Sequence, residues 1–219
     1  MLLMKNRSAV VLLSGGLDSA TALYFAQAKG YACHCLIFDY GQLHKKEINC
    51  AVNLAKASSS TYRILKIDFP WKGSALLDKK IKVPDKIRKG IPVTYVPARN
   101  IIFLSFALSF AETIQAGAIF IGAHAQDYSG YPDCRPEFFK AFVKMARAGT
   151  SGAKRIKILA PLLNKKKAQI IKLGQELDVP YKLTWSCYRG RKLPCGKCDS
   201  CYYRAKGFKE AGLVDPLIN

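Results

Sequence analysis

Ser14-Gly15-Gly16-Leu17-Asp18-Ser19 is the stretch that decides the fold, because of what flanks it on either side. An apolar run at residues 9–13 precedes it and predicts a buried parallel strand. Residues 20–26 follow with helical spacing and good helix formers. A turn of serines and glycines therefore joins a strand to a helix. Such a turn suits phosphate, because the first N–H groups of a helix have no internal partner.

The residue types of this turn also suit an anion. Gly15 and Gly16 let the backbone approach closely, and Ser14 and Ser19 can donate hydroxyl hydrogen bonds. The turn lacks both the Gly-Lys-Ser/Thr ending of a P-loop and the Gly-x-Gly-x-x-Gly of a dinucleotide fold. It resembles the pyrophosphate loop (PP-loop) of ATP pyrophosphatases, which use ATP to activate an oxygen for displacement. The alternative is an ordinary glycine-rich turn.

The PP-loop resemblance implies an adenine nucleotide alpha hydrolase-like fold with ATP at the end of the first strand. The expected ATP-binding residues are Leu13, Ser14, Gly15, Gly16, Leu17, Asp18, Ser19, Ala20 and Thr21.

Strand and helix patterns alternate along the chain. Further apolar runs lie at 33–38, 63–67, 118–122 and 156–159, and helical patterns follow at 44–56, 101–115, 136–148 and 165–177. This order predicts a doubly wound parallel sheet, with ligands at the carboxyl ends of its strands. The apolar composition of the helix at 101–115 predicts its burial, and Asn100 is its expected cap. Residues 68–97 form an expected irregular segment.

Four cysteines close together predict a metal site. Cys187, Cys195, Cys198 and Cys201 have a spacing that lets four thiolates close tetrahedrally on one zinc ion. An iron–sulfur cluster is the rival, since it also takes four thiolates. Four protein ligands leave no open position, so we expect a structural zinc site. The predicted organisation is an α/β domain at residues 1–182 with the substrate pocket, and a small zinc-binding segment at residues 183–219.

Composition limits the class of protein. The chain has 219 residues and a formal net charge of +20, but its basic residues are scattered. A solvated lysine-rich surface is therefore favoured over a stable nucleic-acid partner. No apolar run is long enough to span a membrane, and no targeting segment is evident, so no membrane association is expected. Half of the eight cysteines cluster in one short segment, which predicts free thiols and a reducing cytoplasm.

A third cluster, at residues 123–138, suggests the substrate. It is dense in aromatics, carboxylates and turn formers after a predicted strand. Tyrosine faces can sandwich a flat heterocycle, and Asp127 or Asp133 could accept two N–H bonds from a guanine-like edge. Arg135 could bind a carboxylate with two hydrogen bonds. The residues alone equally allow a surface turn that packs locally.

The motifs together are more specific than each alone. The PP-loop, Asp39-Tyr40-Gly41-Gln42, Val96-Pro97-Ala98-Arg99-Asn100, the cluster around Tyr131-Pro132-Asp133-Cys134-Arg135-Pro136 and the cysteine quartet occur in one order. In this order they resemble the 7-cyano-7-deazaguanine synthases, which make a precursor of queuosine and archaeosine. The resemblance extends from about residue 9 to residue 206.

The resemblance implies a ligase that uses ATP, Mg²⁺ and ammonia on 7-carboxy-7-deazaguanine, and a homodimer. Asp18, Ser14 and Arg99 would carry the catalysis, with Asp18 recruiting Mg²⁺. The implied substrate-binding residues are Arg99, Asp127, Tyr128, Tyr131, Asp133 and Arg135. His124 is either a proton carrier or a structural hydrogen-bonding group.

Two other classes of protein remain open on sequence alone. One is a tRNA-modifying PP-loop ATP pyrophosphatase of the thiolase or lysidine-synthetase type, which the basic charge favours. The other is a zinc-stabilised binding module without catalysis, against which the intact PP-loop argues.

Overall fold

A five-stranded parallel sheet forms the centre of the computed structural model, which describes residues 7–85, 90–124, 130–152, 155–190 and 192–218. Its strand order is β3-β2-β1-β4-β5. The strands are β1 (Arg7–Leu12), β2 (Tyr31–Asp39), β3 (Thr61–Lys66), β4 (Ala118–Phe120) and β5 (Lys157–Leu159). The predicted doubly wound parallel sheet is confirmed.

Six α-helices connect and cover these strands in the described part of the chain. They are α1 (Leu17–Ala28), α2 (Lys46–Ala57), α3 (Arg99–Thr113), α4 (Pro136–Gly149), α5 (Lys167–Glu176) and α6 (Asp199–Ala211). β1 pairs with β2 on one side and with β4 on the other, so the strand order reverses next to β1. In such sheets the crevice for a ligand opens at the carboxyl ends of the strands at this reversal.

The two faces of the sheet carry separate cores. Alternate residues of β1 point to opposite faces: Ala9 and Val11 pack with α1, α2 and α5, whereas Val10 and Leu12 pack with α3 and α4. From Ala9 to Leu12 both faces of β1 are buried, which is why these four residues are all apolar rather than alternating.

Two expectations for α3 are wrong. The helix begins at Arg99, so Asn100 does not cap it; instead the backbone N–H of Asn100 donates to Oδ2 of Asp133 at 2.8 Å. The helix is also not fully buried, since Ile101 and Phe106 are 42% and 44% exposed. An apolar composition shows that a helix has a core-facing side, but it does not show that the opposite side is covered.

The irregular segment before α3 has the expected character in its described parts, residues 68–85 and 90–97, which form turns rather than helices or strands. Phe69 and Val96 anchor it to the α3 side of the core. Among the described residues, each helix is too short or too polar to cross a lipid bilayer.

Candidate active site

The turn after β1 lies at the carboxyl end of this strand, as predicted, and the strand order also reverses there. Its serines hold each other: the backbone N–H and the hydroxyl of Ser14 both donate to Oγ of Ser19, at 3.2 and 3.0 Å. Ser19 in turn donates to the carbonyl of Gly16 at 3.0 Å. Gly16 is the N-cap of α1 and supplies no side-chain cap, so the first N–H groups of the helix keep their capacity for an anion.

Two glycines let neighbouring elements pack directly against this loop. Gly15 has φ +81°, and a Cβ there would lie 2.1 Å from the carbonyl oxygen of Glu47 in the first turn of α2. A Cβ on Gly122, just after β4, would lie 2.8 Å from backbone atoms of Asp18 and Ser19. The loop is therefore wedged between α2 and the end of β4, which fixes its shape before any ligand arrives.

Asp18 forms an ion pair that the sequence analysis missed. Nζ of Lys167, the first residue of α5, lies 2.7 and 2.8 Å from the two carboxylate oxygens. The same ammonium lies 2.9 Å from Nε2 of His124, and this nitrogen is also 3.5 Å from Oδ2 of Asp18. Burial acts to raise the pKa of Asp18, but Lys167 and His124 outweigh it and hold that pKa well below its usual range. His124 thus contacts both members of the ion pair.

A cavity extends from this loop toward α3. It is lined by six of the expected ATP-binding residues, Leu13, Ser14, Gly16, Leu17, Asp18 and Ser19, and also by Glu47, Arg99 and Tyr131. Gly15, Ala20 and Thr21 lie behind the lining and support α1; Thr21, for example, donates to the carbonyl of Leu17 at 2.9 Å.

Arg99 projects into the cavity from the start of α3. It donates from Nη1 to the hydroxyl of Tyr40 at 3.3 Å, and its guanidinium lies 5.7 Å from the centre of the Tyr40 ring. Tyr131 lines the same end, where its hydroxyl pairs with Oγ1 of Thr94 at 3.1 Å. The cavity thus has a phosphate-type end and an aromatic, cationic end.

Asp133 and Arg135 lie beside this end rather than in its lining. Asp133 is buried, and Oδ2 accepts from the N–H of Asn100, but Oδ1 has no hydrogen-bond partner among the described residues. Arg135 is the half-buried N-cap of α4. Asp127 and Tyr128 lie outside the described residues.

The four cysteines converge as predicted. The sulfurs of Cys187, Cys195, Cys198 and Cys201 all lie within 4.8 Å of one another. Backbone N–H groups donate to them, among them that of Cys198 to Sγ of Cys195 at 3.4 Å. Thiol donors from Cys198 and Cys201 lower the pKa of Cys187, whereas the same hydrogen bonds to Cys187 raise the pKa of Cys198 and of Cys201. Without a metal, the arrangement therefore favours the thiolate at Cys187 and the thiol at these two partners. This donor set fits one tetrahedral metal ion.

The cysteine segment also forms one wall of the cavity. Trp185, Ser186, Tyr188 and Ser200 line it, and the N–H of Trp185 donates to the carbonyl of Gly15 at 2.8 Å. Arg204 of α6 ties the segment down with a buried ion pair to Asp215 at 2.7 Å and a hydrogen bond to Thr184. α6 packs against α5. The boundary between residues 182 and 183 stays a prediction.

Sequence reasoning missed Lys167, Glu47 and Trp185. The first two stand in the first turn of a helix that follows a strand. Polar residues at that position gather at the carboxyl edge of the sheet, which is the signal that could have identified them. Trp185 had no comparable signal, because its place depends on how the cysteine segment folds back.

The fold and loop together define the class of this protein: it is a parallel α/β protein with a turn after β1 that resembles a PP-loop, and with a cysteine cluster that can hold a metal ion. The chain belongs to the family described as queuosine biosynthesis protein QueC, whose model matches residues 8–212.

Curated relatives agree with this family. The chain is 52% identical to the 7-cyano-7-deazaguanine synthase of Nostoc punctiforme, over 96% of this chain and 98% of the relative. It is 55% identical to that of Acetivibrio thermocellus, over 96% of this chain and 97% of the relative. These names do not favour the tRNA-modifying alternative.

Solved structures support the fold alone, since their sequence identities are low. NMN synthetase from Francisella tularensis superposes with a TM-score of 0.53 at 18% identity, over 96% of this chain and 79% of that one. A predicted subunit of tRNA methyltransferase from Methanocaldococcus jannaschii also gives 0.53, at 15% identity, over 95% of this chain and 90% of that one.

Proposed function

We propose that this chain is an ATP-dependent ligase that converts 7-carboxy-7-deazaguanine and ammonia into 7-cyano-7-deazaguanine. The observation that carries the proposal is a single cavity that places Ser14 and Asp18 at one end and Arg99 and Tyr131 at the other. Activation of a carboxylate by ATP needs both reactants held in one orientation, and a cavity with these two ends provides it.

The chemistry explains why ATP is needed. A carboxylate is a poor acyl electrophile, because oxide is a poor leaving group. Transfer of a phosphate-containing group from ATP to the carboxylate oxygen makes a mixed anhydride, from which ammonia displaces the phosphate-containing group to give an amide. A second activation, of the amide oxygen, then permits loss of that oxygen to leave the nitrile.

At the phosphate end, the α1 N–H groups and the Ser14 and Ser19 hydroxyls bind and orient the ATP phosphates, and the helix dipole favours their charge. The segment from Leu13 to Thr21 is the proposed ATP site. A bound Mg²⁺ would supply positive charge that offsets the charge of the phosphates. Asp18 fits it as an oxygen ligand, because each of its carboxylate oxygens keeps lone pairs beyond those that Lys167 engages.

At the other end, Arg99 offsets the charge of the substrate carboxylate, and the ring of Tyr131 packs on the flat deazapurine. Asp133, which lies beside this end of the cavity, is the proposed acceptor of N–H bonds from the guanine-like edge. Asp127, Tyr128 and Arg135 complete the proposed substrate contacts.

Four further properties belong to the proposal. The cysteine quartet holds zinc as a structural ion, because four sulfur ligands fill a tetrahedral shell. The protein works in the cytoplasm, which suits the eight free cysteines. It forms a homodimer and has no stable nucleic-acid partner.

Mass spectrometry of a reaction with ATP, Mg²⁺, ammonium and 7-carboxy-7-deazaguanine tests this proposal. We expect a nitrile product that disappears with Asp18→Ala. If no nitrile forms and ATP is consumed only after tRNA is added, the proposed substrate is wrong and the chain modifies tRNA instead.

A further inference from the structure

The carboxylate of Glu47 lines the cavity, but Glu47 belongs to none of the sequence motifs and has no role in the proposed function. It stands in the first turn of α2, against the phosphate loop, where a Cβ on Gly15 would meet its carbonyl oxygen at 2.1 Å. Among the described residues that line the cavity, the carboxylates are Asp18 and Glu47. Glu47 therefore lies on the wall of the space where we propose that phosphates and substrate meet.

The groups that face Glu47 come from several elements. Arg99 approaches from α3 and Tyr40 from the end of β2, while Cys50 lies one turn along α2. Tyr131 and Tyr188 act on the same Arg99 and Tyr40 pair. Gln42 is within hydrogen-bonding reach of the carboxylate. Arg99 is thus a cation that faces Glu47, and the same guanidinium also interacts with the surrounding tyrosines.

The two carboxylates of the cavity have opposite environments. Asp18 is held ionised by Lys167, so it is a weak proton acceptor. Burial raises the pKa of Glu47 from 4.5 to about 7, and Arg99 and Gln42 only partly oppose it. A pair of carboxylates whose pKa values are pushed apart is the arrangement that separates a fixed charge from a proton-transfer group. A proton-transfer group works best when its pKa is near the operating pH.

We propose that Glu47 is the general base of this reaction and accepts the proton that the nitrogen loses when it displaces the activated oxygen. In the first stage the C–N bond forms and the C–O bond to the phosphate-containing group breaks. That group leaves with the electron pair of the C–O bond, and one N–H proton of the nucleophile passes to the Glu47 carboxylate. Glu47 then releases this proton to water. In the second stage the activated C–O bond of the amide breaks, and the phosphate-containing group leaves with its electron pair. The two N–H protons of the amide are lost as the nitrile forms, one to the Glu47 carboxylate and the other to water.

This role rests on the proposed function, because it needs an activated carboxylate and ammonia in the cavity. A purely structural role is the alternative: Glu47 could simply balance Arg99. The two differ in their pH dependence. A general base gives kcat an ascending limb as pH rises through its pKa, whereas a charge partner leaves the pH profile of its variant unchanged in shape.

The test is the pH profile of Glu47→Gln beside wild type, with the concentration of free NH₃ held constant at every pH. We expect kcat to fall about 10²- to 10⁴-fold, the usual contribution of a general base. The KM for ATP should change little, and the ascending limb near pH 7 of the wild type should be lost. Supplying the amide intermediate in place of the acid repeats the test without ammonia.

Two variants make the result decisive. Glu47→Asp keeps a carboxylate, so it should retain part of the activity and an ascending limb. Glu210→Gln removes an exposed carboxylate that pairs with Lys206, and should behave as wild type. A Glu47→Gln enzyme with wild-type kcat, or with the wild-type pH limb at reduced rate, overturns the inference. If Glu47→Gln does not fold, a wild-type profile that lacks the limb overturns it equally.

The failures of the two proposals are distinguishable. A wild-type enzyme that makes no nitrile contradicts the proposed function itself. A wild-type enzyme that makes nitrile, with a Glu47→Gln variant that makes it as fast, contradicts only the role of Glu47.

Discussion

Nζ of Lys167 contacts both carboxylate oxygens of Asp18, at 2.7 and 2.8 Å, across 149 residues of chain. An acid in a phosphate-binding loop would repel the phosphates if it stood alone. Lys167 is 11% exposed in its side chain, so the screening of this pair by water is limited. The start of α5 therefore completes a loop whose other parts come from the first twenty residues of the chain.

Lys167→Met should weaken ATP binding. The variant removes the ammonium paired with Asp18 and leaves His124 beside it, so the loop presents more negative charge to the phosphates. We expect the KM for ATP to rise by at least about tenfold, which corresponds to about 1.4 kcal/mol. Steady-state kinetics and calorimetric titration with ATP measure it.

The neighbouring Lys166 provides a matched control because its side chain is exposed. Its contact with Gln169 is made by the backbone N–H, which donates to Oε1, so the substitution leaves this hydrogen bond in place. Lys166→Met should bind ATP as wild type does. Asp18→Asn combined with Lys167→Met closes a double-mutant cycle, and a coupling near zero would show that the ion pair does not support ATP binding.

How much the sequence predicted depends on the range of the interaction. The strand–turn–helix at Ser14 to Ser19 and the cysteine quartet are local patterns, and both were predicted correctly because their spacing alone restricts the geometry. The Lys167 and Trp185 contacts with the loop depend on how distant elements pack, and no local pattern encodes that. The predicted cap at Asn100 was wrong for the same reason, because the backbone N–H of Asn100 donates to Asp133 from a later segment.

Gly15→Ala should disrupt the loop more than the strain of a left-handed backbone at an alanine would by itself. A Cβ at Gly15 would lie 2.1 Å from a backbone oxygen of α2, so either the loop or the helix must move. Gly30 is the matched control, since its φ of +79° nearly equals the +81° of Gly15 but a Cβ there meets nothing within 4 Å.

Gly30→Ala should cost about 1–2 kcal/mol of stability, the usual penalty of the left-handed region, and keep its ATP affinity. Gly15→Ala should unfold at lower denaturant concentration and lose ATP binding. Equal stability and equal affinity in the two variants would mean that the contact with α2 does not shape the loop.

Glu47 should make the stability of the protein depend on pH. Its folded pKa of about 7 lies above the ordinary 4.5, so the folded state prefers the protonated form. Its favourable contribution is therefore fully present below about pH 4.5 and is lost as pH rises through about 7. Relative to Glu47→Gln, the wild type should lose melting temperature between about pH 5 and about pH 8. Thermal unfolding of both proteins across this range measures the difference, and parallel curves would contradict a raised pKa.

Removal of the metal ion should damage the active site as well as the C-terminal segment. Sγ of Cys198 is one of the four clustered sulfurs, and the residue is fully buried at the start of α6. Cys198→Ser should lower the bound zinc from about one ion per chain and reduce the melting temperature.

The same Cys198→Ser variant should also lower kcat/KM, because Trp185, whose N–H holds the carbonyl of Gly15, is positioned by the cysteine segment. Cys50→Ser is the control: Cys50 packs against the cluster but is not one of the four. It should retain both metal and activity. Elemental analysis by plasma mass spectrometry measures the bound metal, and thermal unfolding and steady-state kinetics on the same samples measure stability and activity. Iron in place of zinc would contradict the structural zinc site. Full activity in a metal-depleted protein would show that the cavity wall forms without the ion.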